Sequence, residues 1–223
     1  MSHQSVAENR IKLRLDSLSD LVFGLALSIG SIALFIKLPQ TDADFVTSIV
    51  AFGFSFLIVT LFWVSYTRVR TILPEENSST FFLCLLLLFC VVLEPYLFYV
   101  VLSVPQLMDW ASIAYSLDLG IMFLIVADLI YTPLMREGKR LQATVSAKQM
   151  SSFRKQMIAS LTTGILLFVS ALPFFSMPVP FNGLLRITMW DMSMVVFVII
   201  RLFPTSPRPA DVKSVRELDH ISN

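Results

Sequence analysis

The sequence predicts an all-α integral membrane protein with six transmembrane helices. Hydrophobic residues make up 56% of its 223 residues and charged residues only 15%, whereas an ordinary soluble domain carries about 25% charged residues. Long apolar runs recur along the chain, and they are continuous rather than alternating between apolar and polar positions. Continuous runs indicate helices, which satisfy their backbone groups without water, and they argue against the strands of a membrane barrel.

Each apolar run is close to the length of about 20 residues that a helix needs to cross a bilayer. Helix 1 ends before Pro39, helix 2 before Pro74, helix 3 before Pro105 and helix 5 before Pro178, while a longer connection over 133–153 separates helices 4 and 5. The predicted helices lie near residues 15–36, 44–66, 80–103, 110–132, 155–176 and 184–203.

Basic residues predict the orientation, because short loops that carry Lys and Arg stay in the cytoplasm. With six helices, 15 of the 17 basic residues fall on one side, and only Lys37 and Arg186 fall on the other. Both termini are therefore expected to be cytoplasmic. We expect a single six-helix transmembrane domain over 1–204 and a polar cytoplasmic tail over 205–223. The protein is expected to be a multi-pass protein of the cell (plasma) membrane, in contact with lipid.

Catalytic patterns are missing from the sequence. The only histidines, His3 and His220, lie near the termini, and no His/Cys spacing for zinc or haem is present. Cys84 and Cys90 lie on different faces of one predicted helix and read as packing residues. The chain contains no phosphate-binding loop, dinucleotide fingerprint or nucleophile elbow. We expect no enzyme activity, no cofactor, no bound structural metal and no nucleic-acid partner.

Helix 1 differs from its neighbours because small residues interrupt its apolar run. Small residues allow helix backbones to approach closely in lipid, so such a helix is expected at the centre of an assembly. On a period of 3.6 residues, one stripe contains Leu18, Leu21 or Val22, Leu25, Ser28 or Ile29, Ile32 and Phe35. Periodicity alone leaves open that this stripe only packs against neighbouring helices.

Two motifs carry a resemblance to a known family. The segment Arg14-Leu15-Asp16-Ser17-Leu18-Ser19-Asp20 is similar to the pattern Arg-x-x-x-Phe-Ser-Asp at the start of helix 1 in the transmembrane protein 175 potassium channels, with Leu18 in place of Phe. The segment Phe62-Trp63-Val64-Ser65-Tyr66 resembles the aromatic-Trp-x-x-His pattern that closes helix 2, with Tyr66 in place of His. The six-helix organisation also resembles the prokaryotic members of this family.

The resemblance implies a homotetramer that conducts potassium ions passively through a pore lined by helix 1. Leu25, Ile29 and Ile32 match the positions of apolar rings that narrow and gate such a pore, and Ser28 matches an ion-coordinating hydroxyl ring. A hydrogen-bonded network at the motifs would fix the pore helix, and its members are Arg14, Ser19, Asp20, Trp63 and Tyr66. Asp16 and Ser17, by contrast, are expected to be solvated cap residues.

Acidic residues inside the predicted helices leave a second function open. Carboxylates in a membrane are often functional, so Glu94, Asp118, Asp128 and Asp191 would serve a proton-coupled secondary transporter. For Asp118 and Asp128, the favoured interpretation is structural pairing between helices, or with Arg186 and Arg201. A set of aromatic residues, Tyr96, Phe98, Tyr99, Trp110 and Tyr115, is expected to form a belt at the outer membrane interface.

Overall fold

A computed structural model describes residues 3–36, 39–73, 78–136, 145–179 and 183–202. These ranges contain six long helices: α1 (His3–Ile36), α2 (Asp42–Arg70), α3 (Ser78–Ser103), α4 (Met108–Arg136), α5 (Ala147–Ser170) and α6 (Leu185–Leu202). Short 3-10 turns at Pro105–Leu107 and Pro173–Ser176 precede α4 and follow α5. Before α6, β1 (Pro178–Val179) pairs antiparallel with β2 (Gly183–Leu184).

The predicted all-helical architecture is confirmed. Within the described ranges, four helical stretches are long and apolar enough to cross a membrane: Leu13–Ile32, Asp42–Arg70, Ser79–Ser103 and Pro105–Met135. Helices α5 and α6 are not among these stretches, so the count of six membrane spans stays a prediction, as does the cytoplasmic location of the termini. The predicted tail over 205–223 lies outside the described residues.

Helix α5 is displaced from its predicted position of 155–176. It begins at Ala147 because Ser146 caps it: the Ser146 side chain accepts from the Gln149 backbone N–H at 3.3 Å, and the Gln149 side chain accepts from the Ser146 backbone N–H at 3.1 Å. It ends at Ser170, shortly before Pro173 opens a separate 3-10 turn. The apolar run alone therefore misplaced both ends of this helix.

Helices α1 and α2 form an antiparallel hairpin that packs on α3. The part of α1 around Asp16 lies beside the last turn of α2, where Asp16 contacts Arg70. Farther along, Gly30 of α1 faces Phe52 of α2 and Pro95 of α3. Phe23 and Ala26 are buried on the inner side of α1. We call the end of the bundle that holds Asp16 and Arg70 the motif end.

Helices α4 and α5 approach each other closely through two glycines. A Cβ atom on Gly164 would lie 3.2 Å from the Gly120 carbonyl oxygen and 3.0 Å from the Leu124 side chain. A Cβ atom on Gly120 would lie 2.8 Å from the Phe168 ring. The crossing therefore depends on the absence of side chains, as is common where helices associate in lipid.

A buried arginine ties α4, α5 and α6 together at the end opposite the motif end. Arg186 is 0% exposed. Its guanidinium donates to the Ser170 carbonyl at 2.8 Å, to Ser112 Oγ at 2.6 Å and to Asp109 Oδ1 at 2.9 Å. It also donates to Ser176 Oγ at 2.9 Å. The predicted pairing of Arg186 with Asp118 or Asp128 is wrong, because Asp109 in the first turn of α4 occupies that place.

Candidate functional site

The motif end joins α1 to α2 through buried hydroxyl groups. Ser19 is buried, and its Oγ donates to the Leu15 carbonyl at 2.6 Å and shares a hydrogen bond of 2.9 Å with the Tyr66 hydroxyl. The Tyr66 ring also packs against Phe23 with 6.0 Å between the ring centroids. The phenol thus takes part in both polar and aromatic contacts with the inner side of α1.

Asp20 makes a second link between the two helices. The Trp63 indole Nε1 donates to Asp20 Oδ1 at 3.2 Å. Asp20 is exposed and Trp63 is 42% exposed. The structure therefore brings together Ser19 with Tyr66 and Asp20 with Trp63, from two consecutive residues of α1 and two residues about one turn apart on α2.

Asp16 makes a third link, which the sequence interpretation missed. Arg70 Nε donates to Asp16 Oδ1 at 2.8 Å, and the Arg70 side chain is only 7% exposed. The expectation that Asp16 is a solvated cap is wrong, because the last turn of α2 places a buried guanidinium against it. Ser17 is exposed and donates to the Leu13 carbonyl at 3.0 Å, one turn earlier in the same helix.

Arg14 lies apart from this network. Its side chain is exposed, and among the described residues no hydrogen bond joins it to Ser19, Asp20 or Trp63. Arg70, which lies on the neighbouring helix, supplies the buried cation at the motif end. The sequence signal for this pair was a basic residue in the last turn of α2 and an acid within the motif from Arg14 to Asp20, which topology places at the same end.

One side of α1 is left open by the packing of the chain. Leu18, Leu21, Leu25, Ser28 and Ile32 recur at spacings of three or four residues, and all are exposed, whereas Leu15, Ser19, Phe23 and Ala26 are buried. We call the exposed set the α1 stripe. Leu25 is 51% exposed and Ile32 is 55% exposed, while Ile29 is half-buried beside the stripe.

Ser28 is the hydroxyl-bearing member of the central part of the α1 stripe. Its Oγ donates to the Gly24 carbonyl at 2.9 Å. A serine hydroxyl has one hydrogen and two lone pairs, so this bond leaves the oxygen free to accept or to coordinate a cation. Ser31 Oγ donates to the backbone carbonyl of Ser28 at 2.7 Å, so this bond does not occupy Ser28 Oγ.

The buried carboxyl groups lie in the interior of one chain. Glu94 is 0% exposed, and it accepts from Ser55 Oγ at 2.8 Å and from the Tyr115 hydroxyl at 3.0 Å. Asp118 is also buried, whereas Asp128 and Asp191 are exposed. Tyr115 is 0% exposed and packs against Trp190, so its predicted place in an interfacial belt is wrong.

The apolar helices and the two motif contacts define the chain as a multi-pass helical membrane protein. No group of three or more His, Cys, Asp or Glu side chains that could hold a metal ion occurs in the described ranges.

A family model described as the endosomal/lysosomal potassium channel TMEM175 matches residues 14–95, the segment that contains both motifs. Over that segment, the match agrees with the resemblance to the transmembrane protein 175 family that the two motifs carry.

Two solved structures share the fold. One is a crystal structure of a lysosomal potassium-selective channel TMEM175 homologue from Chamaesiphon minutus, with a TM-score of 0.57 and 17% identity, over 86% of this chain and 98% of that one. The other is a variant of the potassium channel MtTMEM175 bound to a nanobody fusion, with a TM-score of 0.50 and 14% identity, over 84% of this chain and 88% of that one. A comparison with curated proteins finds no match.

Proposed function

We propose that this chain is the subunit of a passive, potassium-preferring cation channel in the plasma membrane. Four copies would surround a central pore, with the α1 stripe of each copy facing the axis. The main support for the proposal is the α1 stripe, which the described structure leaves uncovered. The same helix carries the motif from Arg14 to Asp20. Similarity to proteins described as potassium channels supports the choice of permeant ion.

The composition of the α1 stripe supports a pore better than a lipid-facing surface. Lipid favours large apolar side chains, yet this stripe includes Ser28, and Gly24 is exposed next to it. Rings of Leu25 and Ile32, with Ile29 beside them, would narrow the path and close it by dewetting, as hydrophobic constrictions do in channels. Four Ser28 hydroxyls would replace part of the hydration shell of potassium without burying a charge.

The motif contacts have a positioning role in this proposal. Asp20 with Trp63 and Ser19 with Tyr66 hold the first half of α1 against α2. Asp16 with Arg70 adds a bond one turn before Ser19. These contacts would set the angle at which α1 approaches the axis, and thereby the width of the rings at Leu25 and Ile32.

Assembly and ion flux test the proposal together. Detergent-purified protein should have the mass of four chains by light scattering, and liposomes that contain it should release potassium down its gradient without an added energy source. Replacing Leu25 with Asn should increase the resting leak, because a polar ring stays wet. A stable monomer, or a Leu25→Asn tetramer with unchanged conductance and selectivity, would contradict the pore assignment.

Cysteine accessibility locates the pore independently of conduction. The native Cys84 and Cys90 are 0% and 4% exposed, so they give little background with a charged thiol reagent. Ser28→Cys should react in the membrane because water reaches the pore. Leu161→Cys is the matched control, since Leu161 is 46% exposed on α5 but belongs to no proposed pore surface. Faster labelling at 161 than at 28 would place the aqueous path elsewhere.

A proton-coupled transporter remains the second candidate, because Glu94 and Asp118 are buried carboxyl groups within apolar helices. The bonds of Glu94 to Ser55 and Tyr115 support a structural role instead. Potassium accumulation against its own gradient, driven by an imposed proton gradient and lost in Glu94→Gln, would favour the transporter. Strictly downhill flux that Glu94→Gln leaves intact would favour the channel.

A further inference from the structure

A cavity of about 190 Å³ lies between α1, α2 and α3, away from the motif end. Its lining includes Gly30 of α1, Asp44, Phe52 and Ser55 of α2, and Phe98 and Tyr99 of α3. An engineered apolar cavity of about 150 Å³ holds benzene. The cavity, called the interhelical pocket below, therefore has room for a molecule of roughly that size.

The interhelical pocket combines one acidic group with aromatic walls. Among the described residues that line it, Asp44 is the only charged one. Asp44 Oδ2 accepts from the Thr41 backbone N–H at 3.2 Å, and the first turn of α2 stabilises its negative charge. The aromatic side chains of Phe52, Phe98 and Tyr99 line the same space, and the Phe98 ring also packs against Phe54 and Tyr115 with 5.4 Å between ring centroids in each pair. A carboxylate beside several aromatic rings is the arrangement that recognises quaternary ammonium ions.

The end of the interhelical pocket at Ser55 is polar, and it lies about 16 Å along α2 from Asp44. Ser55 is buried and uses its hydrogen in the bond to Glu94 Oε2 at 2.8 Å. The Ser55 oxygen therefore offers lone pairs, and the buried Glu94 carboxyl lies directly behind it. We propose that the interhelical pocket binds a small organic ammonium ion of the size of choline, with the ammonium group between Asp44 and the aromatic rings.

The position of Gly30 links this pocket to α1. Gly30 lies between Ser28 and Ile32 in the sequence, and a Cβ atom there would meet Phe52 at 3.7 Å and Pro95 at 3.9 Å. A ligand in the pocket would lie against the backbone of α1 on the side away from the α1 stripe. Binding would thereby change the potassium conductance. This last step rests on the proposed channel function, whereas the binding itself does not.

Calorimetric titration of the full-length protein with choline chloride tests the site. The matched neutral probe is 3,3-dimethyl-1-butanol, in which carbon replaces the charged nitrogen, and sodium chloride controls for ionic strength. Choline should bind at least about fivefold more tightly than the alcohol and should raise the midpoint of thermal unfolding. Equal binding of the two probes would overturn the ammonium assignment, and no choline binding would overturn the site.

Paired variants locate the binding. Asp44→Asn keeps an oxygen that can accept from Thr41 but removes the charge, so it should weaken choline binding about fivefold to tenfold. Asp42→Asn is the control, because Asp42 lies in the same helical turn but does not line the pocket. Ala51→Leu should weaken binding by filling the space, since Ala51 lines the cavity.

The outcomes of these variants separate the two parts of the proposal. Wild-type affinity in both Asp44→Asn and Ala51→Leu, or an equal loss in Asp42→Asn, would place choline outside the interhelical pocket. Choline that binds as expected but leaves potassium flux unchanged in liposomes would overturn the link to α1 and leave the binding site standing. Protein without potassium flux that still binds choline would contradict the proposed function alone.

Discussion

Helices α1 and α2 and helices α4 to α6 are packed in different ways. The chain buries only 22% of the apolar stretch of α1 and 22% of that of α2, compared with 67% of that of α4. The first pair is joined by side-chain bonds at the motif end, such as that of Trp63 with Asp20, and encloses a cavity near its other end. The second group has backbone-to-backbone contact at Gly120 and Gly164 and the buried Arg186.

This difference separates helices that cover one another within the chain from helices that the chain leaves largely exposed. Helices α4 to α6 are joined within one chain by the Gly120–Gly164 crossing and by the bonds of Arg186, although Asp118 Oδ2 and Gln156 Nε2 are buried there without a hydrogen-bond partner among the described residues. In the proposed function, the exposed side of α1 faces three further copies around a pore. Substitutions should therefore change stability most in α4 to α6 and ion conduction most in α1.

The largest loss of stability is expected at Arg186. Arg186→Gln removes a buried guanidinium and leaves groups such as Ser112 and the Ser170 carbonyl without their donor, which should lower the free energy of unfolding by about 2–4 kcal/mol. Arg154→Gln is the control, because Arg154 is exposed on α5, and it should change that energy by less than about 0.5 kcal/mol. Denaturant titration in detergent measures both, and similar small effects would show that Arg186 does not hold the three helices.

The glycine crossing gives the next largest effect. Gly164→Ala places a methyl group 3.2 Å from the Gly120 carbonyl oxygen and 3.0 Å from Leu124, so it should destabilise the protein by about 1–3 kcal/mol. Gly53→Ala tests the same change in α2, where a Cβ atom meets nothing within 4 Å. That substitution should be neutral or stabilising, since alanine favours helix. The reverse order in thermal unfolding would contradict the contrast between the two regions.

The sequence predicted the helices because their apolar runs are long, and it predicted contact between the two motifs because topology places both at one end. The rotation of each helix about its axis was not predictable. Periodicity could not tell that Asp16 faces Arg70, or that Asp109 rather than Asp118 faces Arg186. Ser146 and Gln149, which have the spacing of a capping box, mark the start of α5 several residues before its apolar run begins.

A moderate effect is expected at the motif end. A double-mutant cycle of Asp20→Asn with Trp63→Phe should give a coupling energy of about 0.5–1.5 kcal/mol, because the indole donates to a carboxylate at an exposed site. Stability of the assembled protein against denaturing detergent is the measurement. The control cycle combines Asp16→Asn with Trp63→Phe and should be additive, since Asp16 contacts Arg70 instead. Additive losses in both cycles would show that Asp20 and Trp63 are not coupled, and their contact would then have no positioning role.

The smallest change in stability, with a large change in conduction, is expected at Ser28. Ser28→Ala removes a hydroxyl whose bond returns to Gly24 in its own helix, so unfolding should change by less than about 0.5 kcal/mol. If four Ser28 oxygens coordinate the ion, preference for potassium over sodium should fall sharply in bilayer recordings. Ser31→Ala removes a neighbouring hydroxyl that is off the α1 stripe and bonded to the Ser28 carbonyl, and it should leave selectivity unchanged. Intact selectivity in Ser28→Ala would make Ser28 a packing residue, and the ion would then have to be selected elsewhere along α1.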